Sequence, residues 1–357
     1  MFIVDAHLDL SMNATEWNRD LTQSLADIRA REKNMKDKAD RGNNTVCFEE
    51  LRKGNIGLVV ATQIARYVAA DNPLPGWHSP AQAWAHTQGQ LAWYKAMEAQ
   101  GELRMIRNKT ELAAHISYWN EDSKDQSQKT IGYILSLEGA DSMIDLSYLH
   151  TAHQYGLRAL GPAHYGPGRY AHGTDASSPL NADGKALIRE MEKLNIILDA
   201  THLCDLAFWD ALEIFNGPVW ASHNNCRSIV NHNRQFSDDQ LKELISRKAV
   251  IGAAFDSWMI VPDWVRGKSD SRALGCNLDR LIDHIVHICD LAGNVDHVGI
   301  GSDLDGGFGT EQSPYDIQSI ADHQTIPGRL AARAFTSQDI AKIMSKNWLD
   351  FLERNLG

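Results

Sequence analysis

Short apolar runs, mostly rich in β-branched residues and each too short for a helix, recur at residues 2–4, 56–62, 131–137, 157–160, 195–198, 219–221, 250–254 and 297–300. Runs that are apolar at consecutive positions suit parallel strands buried on both faces, and such strands need a covering helix in every crossover. The intervening sequence supplies these helices. Residues 277–292 place Leu278, Leu281, Ile282, Ile285, Ile288 and Cys289 on one stripe and end at Gly293, which suits the left-handed position after a helix. Ser237 and Gln240 form a capping box for a helix carrying Leu241, Leu244 and Ile245. Similar patterns cover 81–99, 184–194 and 337–352. Eight strand–helix units predict a single (β/α)8 TIM barrel over residues 1–357, although periodicity alone leaves an open α/β sheet standing as an alternative. The first connection, about 10–55, is long enough for an extra helix or a lid. Within it, 29–41 is dense in charge and reads as a solvated helix or loop.

Metal-capable side chains stand where the expected strands end, which in a barrel is the active-site face. His7 and Asp9 follow the first run with side chains pointing the same way, Glu138 follows the third, His202 the fifth, His223 the sixth and Asp303 the eighth. A lone histidine at a strand end is usually a hydrogen-bonded structural residue, and a lone aspartate before a helix usually a cap. The same residue types at the ends of five different strands point to a metal site. His7, Asp9, Glu138, His202 and His223 suffice for two ions if Glu138 bridges them. Nitrogen and oxygen donors without thiolate favour zinc, with manganese, cobalt or iron as substitutes. Cys204 and Cys226 lie near these residues in sequence and read as packing residues.

A formal charge of −11 disfavours nucleic acid and anionic membrane as partners, since both are polyanions. No apolar stretch reaches the length of a membrane span. The five scattered cysteines suit reduced thiols, and Met1-Phe2-Ile3-Val4-Asp5 enters a strand without an export signal, so cytoplasm is expected. A homodimer is the base-rate expectation.

The ordered set Asp5-Ala6-His7-Leu8-Asp9, Leu137-Glu138-Gly139, Asp199-Ala200-Thr201-His202, Ser222-His223 and Gly301-Ser302-Asp303-Leu304-Asp305-Gly306 resembles the renal (membrane) dipeptidase family of zinc metallopeptidases, in the amidohydrolase-like superfamily. The likeness covers nearly the whole chain, including Phe48-Glu49-Glu50-Leu51-Arg52-Lys53-Gly54-Asn55-Ile56-Gly57 and Thr336-Ser337-Gln338-Asp339-Ile340. It implies a barrel of the metallo-dependent hydrolase type in which His7, Asp9 and Glu138 bind one zinc, and Glu138, His202 and His223 the other. Glu138 would stand where many relatives in the wider group carry a carboxylated lysine. The likeness also implies that His164, in Gly161-Pro162-Ala163-His164-Tyr165, contacts the scissile carbonyl. Arg234 would hold the substrate's terminal carboxylate, a task suited to a planar guanidinium fork, although as a residue alone it reads equally well as a surface arginine.

The implied reaction is hydrolysis of a dipeptide, including one with a D-residue at its C-terminal position, by a metal-bridging hydroxide with Asp303 as proton shuttle. Two other readings stand beside it. One is a binuclear amidohydrolase acting on N-acyl amino acids, lactams or lactones, and the other is a non-catalytic barrel, which would be free to lose ligands. The loop Gly166-Pro167-Gly168-Arg169-Tyr170-Ala171-His172-Gly173 departs from the commoner family form. Asp256 reads first as a turn or cap residue; facing the pocket, it would favour a basic substrate side chain. Trp77, Trp258 and Trp264 are either rim or packing residues.

Overall fold

The computed structural model describes residues 1–70, 72, 74–121 and 125–357. Its strands are β1 (Ile3–Leu8), β2 (Ile56–Ile64), β3 (Leu103–Met105), β4 (Ile131–Glu138), β5 (Leu157–Gly161), β6 (Ile197–Asp199), β7 (Val219–Trp220), β8 (Ile251–Ala253) and β9 (Val298–Ile300). All pair in parallel, in the order β7-β6-β5-β4-β2-β1-β9-β8. A parallel bridge between Ala221 and Ile251 joins the two ends of that order, so eight strands form a nearly closed barrel. These eight coincide with the eight apolar runs. β3 is additional: it lies along the first half of β4, on the edge that β5 takes over further up. Three residues with Arg104 exposed between Leu103 and Met105 leave no apolar run to read.

Both faces of the wall are buried, which is why the runs are continuous. Val4, Ala6, Leu58 and Val60 pack in one cluster with Trp348 and Phe351 of the helix Asn347–Asn355, while Ile3, Val59 and Ala61 belong to the larger cluster under the outer helices. Asn277 caps the helix Leu278–Ala292 through the Arg280 amide, and Gly293 ends it at φ 68°. The Ser237–Gln240 capping box opens Asp238–Ser246. The stretch expected as one helix over 337–352 is helical throughout, with a wider π turn at Lys342–Lys346 between Ser337–Ala341 and Asn347–Asn355.

Two details hold the site's frame. Where the backbone ladder between β7 and β8 gives out, the Asn225 side chain continues it, Nδ2 donating to Ala254 O (2.9 Å) and Oδ1 accepting from Ala254 N (3.1 Å). The first connection carries helices Leu10–Thr15, Leu25–Glu32 and Phe48–Lys53 and is fastened by a buried ionic network. Arg19 donates to Glu32 (2.9 and 3.1 Å) and pairs with Asp40 (2.9 Å), and Arg41 donates to Glu32 (2.6 Å). Glu32 and Asp40 are therefore not part of a solvated face; the partner that draws them in, Arg19, lies upstream of the charged stretch. The network continues to the loop after β9, because Asn13 donates to Asp305 O (2.8 Å), and the Asp305 carboxylate accepts from Thr45 N (2.7 Å), Thr45 Oγ1 (2.8 Å) and Val46 N (2.9 Å). Among the described residues no helix is long and apolar enough to cross a membrane. All five cysteines are free and buried.

Candidate metal centre

The C-terminal ends of the strands bring His7, Asp9, Glu138, His202, His223 and Asp303 together. Glu138 is central. One of its oxygens lies 3.6 Å from His7 Nε2, and the other lies 3.3 Å from His202 Nε2 and 3.5 Å from His223 Nε2. His7 Nε2 is also 3.9 Å from Asp9 and 3.8 Å from Asp303. Three overlapping triplets, His7–Asp9–Glu138, His7–His223–Asp303 and Glu138–His164–His202, each offer donor atoms within 4.8 Å of one another.

Neighbouring groups aim these donors. The Asp5 carboxylate accepts from the His7 amide (3.2 Å) and, one strand across, from the Ser302 amide (2.8 Å). Asp199 does the same for Thr201 N (3.1 Å) and Ser222 N (3.0 Å). Ser222 Oγ lies 2.9 Å from His223 Nδ1 and 3.3 Å from His7 Nδ1, Thr174 Oγ1 lies 2.9 Å from His202 Nδ1, and Thr62 donates to Asp9. With Nδ1 engaged, each ring turns Nε2 inward. The 166–173 loop explains Thr174's position: it folds back so that Thr174 N donates to His164 O (2.9 Å). Gly173 is required there, since a Cβ would stand 1.7 Å from His164 O. His202 and Asp303 sit at φ 68° and 60°, a left-handed backbone region that costs energy in non-glycine residues and clusters at functional sites.

The cluster holds three carboxylates, Asp9, Glu138 and Asp303, and no lysine or arginine among its clustered donors. Burial pushes the His202 and His223 rings well below 6.5, so both are neutral with a lone pair to give. Burial would lower His7 too, but Glu138, Asp9 and Asp303 outweigh it and raise it to about 10. Burial together with Asp9 and Glu138 raises Asp303 well above the usual carboxylate range, despite the pull of His7. His7 Nε2 is buried without a hydrogen-bond partner. A proton-hungry imidazole ringed by carboxylates and flanked by two neutral imidazoles fits a bound cation, so these residues suit a metal.

The pocket over the cluster, about 220 Å³, is lined by Asp9, Glu138, His164, His202, His223, Arg234, Asp256 and Asp303, with Tyr165 and Arg266 among its other walls. Arg234 is not a surface residue: it is 2% exposed, Nη2 donates to His223 O (3.0 Å), and Nη1 is buried without a partner. Asp256 precedes the helix Ser257–Ile260 without capping it, and its carboxylate lines the pocket. There it accepts from Gln312 Nε2 (2.9 Å) and faces Arg266 at 3.7 Å. That cation offsets the charge through which Asp256 would select a basic side chain. Trp77, Trp258 and Trp264 are not among the residues lining this pocket.

Sequence reasoning missed Ser222, Thr174, Arg266 and Arg66, which donates to His164 Nδ1. Arg66 stands two residues past β2, so the strand-end rule applied to cations as well as metal donors would have found it. A larger hollow of about 400 Å³, lined by Met12, Trp17, Ile64, Arg66 and Trp77 among others, holds none of the clustered donors.

A family model described as membrane dipeptidase (peptidase family M19) matches residues 1–354. Dipeptidase tcpJ of Claviceps purpurea is 29% identical over 227 residues, 60% of this chain and 50% of that protein. The chain spans about half the length of the first curated relatives it matches. Among solved structures, the metallopeptidase dipeptidase AC superposes at a TM-score of 0.80 with 23% identity, covering 100% of this chain and 99% of that one. A metallopeptidase from Rhodobacter sphaeroides, bound to a phosphinate mimic of L-Ala-D-Ala, superposes at 0.78 with 22% identity, covering 99% of each chain. At these identities the two structures establish the shared fold.

Proposed function

From the premise that this chain belongs to the membrane dipeptidase family of metallopeptidases, peptidase family M19, we propose that it hydrolyses the amide bond of dipeptides, including those with a D-residue at the C-terminal position. The observation that carries the reading is the division of Glu138, one oxygen toward His7 and the other toward His202 and His223. His7, Asp9 and Glu138 would hold one ion and Glu138, His202 and His223 a second, zinc by donor type, with manganese, cobalt or iron as substitutes. Such ions, when bound, lower the pKa of a water and polarise a carbonyl oxygen.

The chain's own residues do the rest. Asp303 is the most open carboxylate of the cluster, its side chain 15% exposed against 5% for Asp9 and 8% for Glu138, which supports its role in taking a proton from the attacking water and passing it to the leaving amine. Arg234, with one nitrogen unpartnered in the pocket, pairs with the substrate's terminal carboxylate. His164 donates to the carbonyl oxygen as negative charge develops there. Asp256, paired with Arg266, accepts small or neutral side chains better than basic ones. The barrel over 1–357 acts as one catalytic unit with an elaborated first connection, and its free, buried thiols suit a reducing compartment such as the cytoplasm.

The test is a zinc-loaded preparation assayed for bound metal and for turnover of L-Xaa-L-Xaa and L-Xaa-D-Xaa dipeptides beside N-acyl amino acids, lactams and lactones. Two ions per chain and dipeptide turnover, lost in Arg234→Met through KM, are expected. Preferential cleavage of an N-acyl amino acid, a lactam or a lactone overturns the substrate assignment.

A further inference from the structure

Arg66 turns its guanidinium toward the site: one terminal nitrogen donates to His164 Nδ1 and the other to Pro75 O (3.2 Å). Its backbone is clipped in place, since Arg66 O accepts from Trp77 N (2.7 Å) and Val68 N donates to Trp77 O (2.9 Å). The clip is tight, because a Cβ on Gly76 would stand 2.8 Å from Arg66 O and 2.7 Å from Val68 Cγ1. The guanidinium is thus held between the pocket and the larger hollow behind it, with Glu138 and Asp141 supplying the negative field around it.

Arginine offers only donors, so the atom it touches must accept. His164 Nδ1 therefore presents a lone pair to Arg66, and the ring's hydrogen resides on Nε2. A hydrogen on both nitrogens would set N–H against N–H. Nε2 is the atom on the cluster side, 4.0 Å from Glu138 Oε1. With a hydrogen there, His164 cannot ligate a metal alongside Glu138 and His202, although its distance would allow it; it can only donate.

We propose that Arg66 is a positioning residue for the reaction: it fixes the tautomer of His164 so that Nε2–H points at the substrate carbonyl oxygen and stays out of the metal shell. The proposal rests on the dipeptidase reading for its kinetic consequence, but not for its structural one. Loss of the guanidinium frees the ring to exchange tautomers, and a fraction of molecules then presents a lone pair where the developing oxyanion needs a donor.

The test compares the full-length, metal-loaded chain with Arg66→Met, Arg66→Lys, His164→Ala and the Arg66→Met/His164→Ala pair. Arg66→Met is expected to lower kcat about 3- to 10-fold, in proportion to the share of molecules that leave the Nε2–H tautomer, with unchanged metal content and little change in KM. In the His164→Ala background the same change should cost less than about twofold, because the two residues act as one unit. In ¹⁵N-histidine spectra, with His164 assigned by the signals missing from His164→Ala, the wild type should show the Nε2–H tautomer and Arg66→Met a mixture. Should the methionine variant fail to fold, Arg66→Leu carries the same comparison, while Arg66→Lys, whose ammonium also only donates, is expected to keep the Nε2–H tautomer. Fully multiplicative losses in the pair, or an unaltered tautomer in the variant, overturn the proposal. If the wild type cleaves no dipeptide, the substrate reading falls and the spectra alone decide the role of Arg66.

Discussion

Asp303 combines a left-handed backbone with a carboxylate set among other acids, and both features bear on how it can be probed. Asparagine tolerates the left-handed region better than most residues and keeps the size of the side chain while removing its ability to carry a proton. Asp303→Asn should therefore retain bound metal and fold while kcat falls about 10²- to 10⁴-fold, the usual worth of a positioned acid–base group. Paired metal analysis and steady-state kinetics check this, and an active variant removes Asp303 from proton transfer. At this scale the sequence was informative about donors and poor about their supports. His7, Asp9, Glu138, His202, His223 and Asp303 are readable because each ends a strand. The roles of Asp5, Asp199 and Ser222 depend on which strand lies beside which, and that pairing is absent from a one-dimensional pattern.

Among the elements, the helix Leu278–Ala292 carries more than its apolar stripe. His284 on it is fully buried, its Nδ1 accepting from Cys226 N (3.1 Å) and its Nε2 donating to Ile260 O (3.1 Å), so it ties the helix to the loops after β7 and β8. Burial depresses its pKa to about 4. A buried histidine of depressed pKa is neutral in the fold and charged in the unfolded chain below about 6.5, so its share of stability is complete above that pH and declines as pH falls toward 4. From pH 7.5 to 5 this residue should account for about 2 kcal/mol of lost stability. Urea unfolding at the two pH values should show a smaller loss in His284→Gln than in the wild type; equal losses would exclude the histidine as the source. The helix was legible from its period and caps, whereas the polar residue inside its buried stripe carries no signal in hydrophobic spacing. β3 escaped notice for the converse reason, three residues being too few to show any period.

For the whole molecule, the long first connection is an anchored part of the barrel's top. Through Asn13, Thr45 and Val46 it grips Asp305, two residues from Asp303, and the Arg19–Glu32–Asp40 network holds the connection together. Arg19→Met leaves the buried Asp40 carboxylate without a cation and Glu32 with Arg41 alone, and should cost about 3–5 kcal/mol in urea unfolding; a shift under about 1 kcal/mol would place the network among surface pairs. The barrel itself follows from eight buried runs with helices in the crossovers between them, which is why it was readable. Closure was expected from the count of eight units but not demanded by periodicity, because it depends on one bridge at Ala221 and on the Asn225 amide.

That amide gives the wall the mechanics of a rolled strip held by a clasp. His223 emerges on one side of the clasp, and His7 and Asp303 emerge beyond the strands on the other. Two ions sharing Glu138 would tie His7 on one side of the clasp to His223 on the other, so cofactor loss would loosen the cylinder first where its circumference is joined.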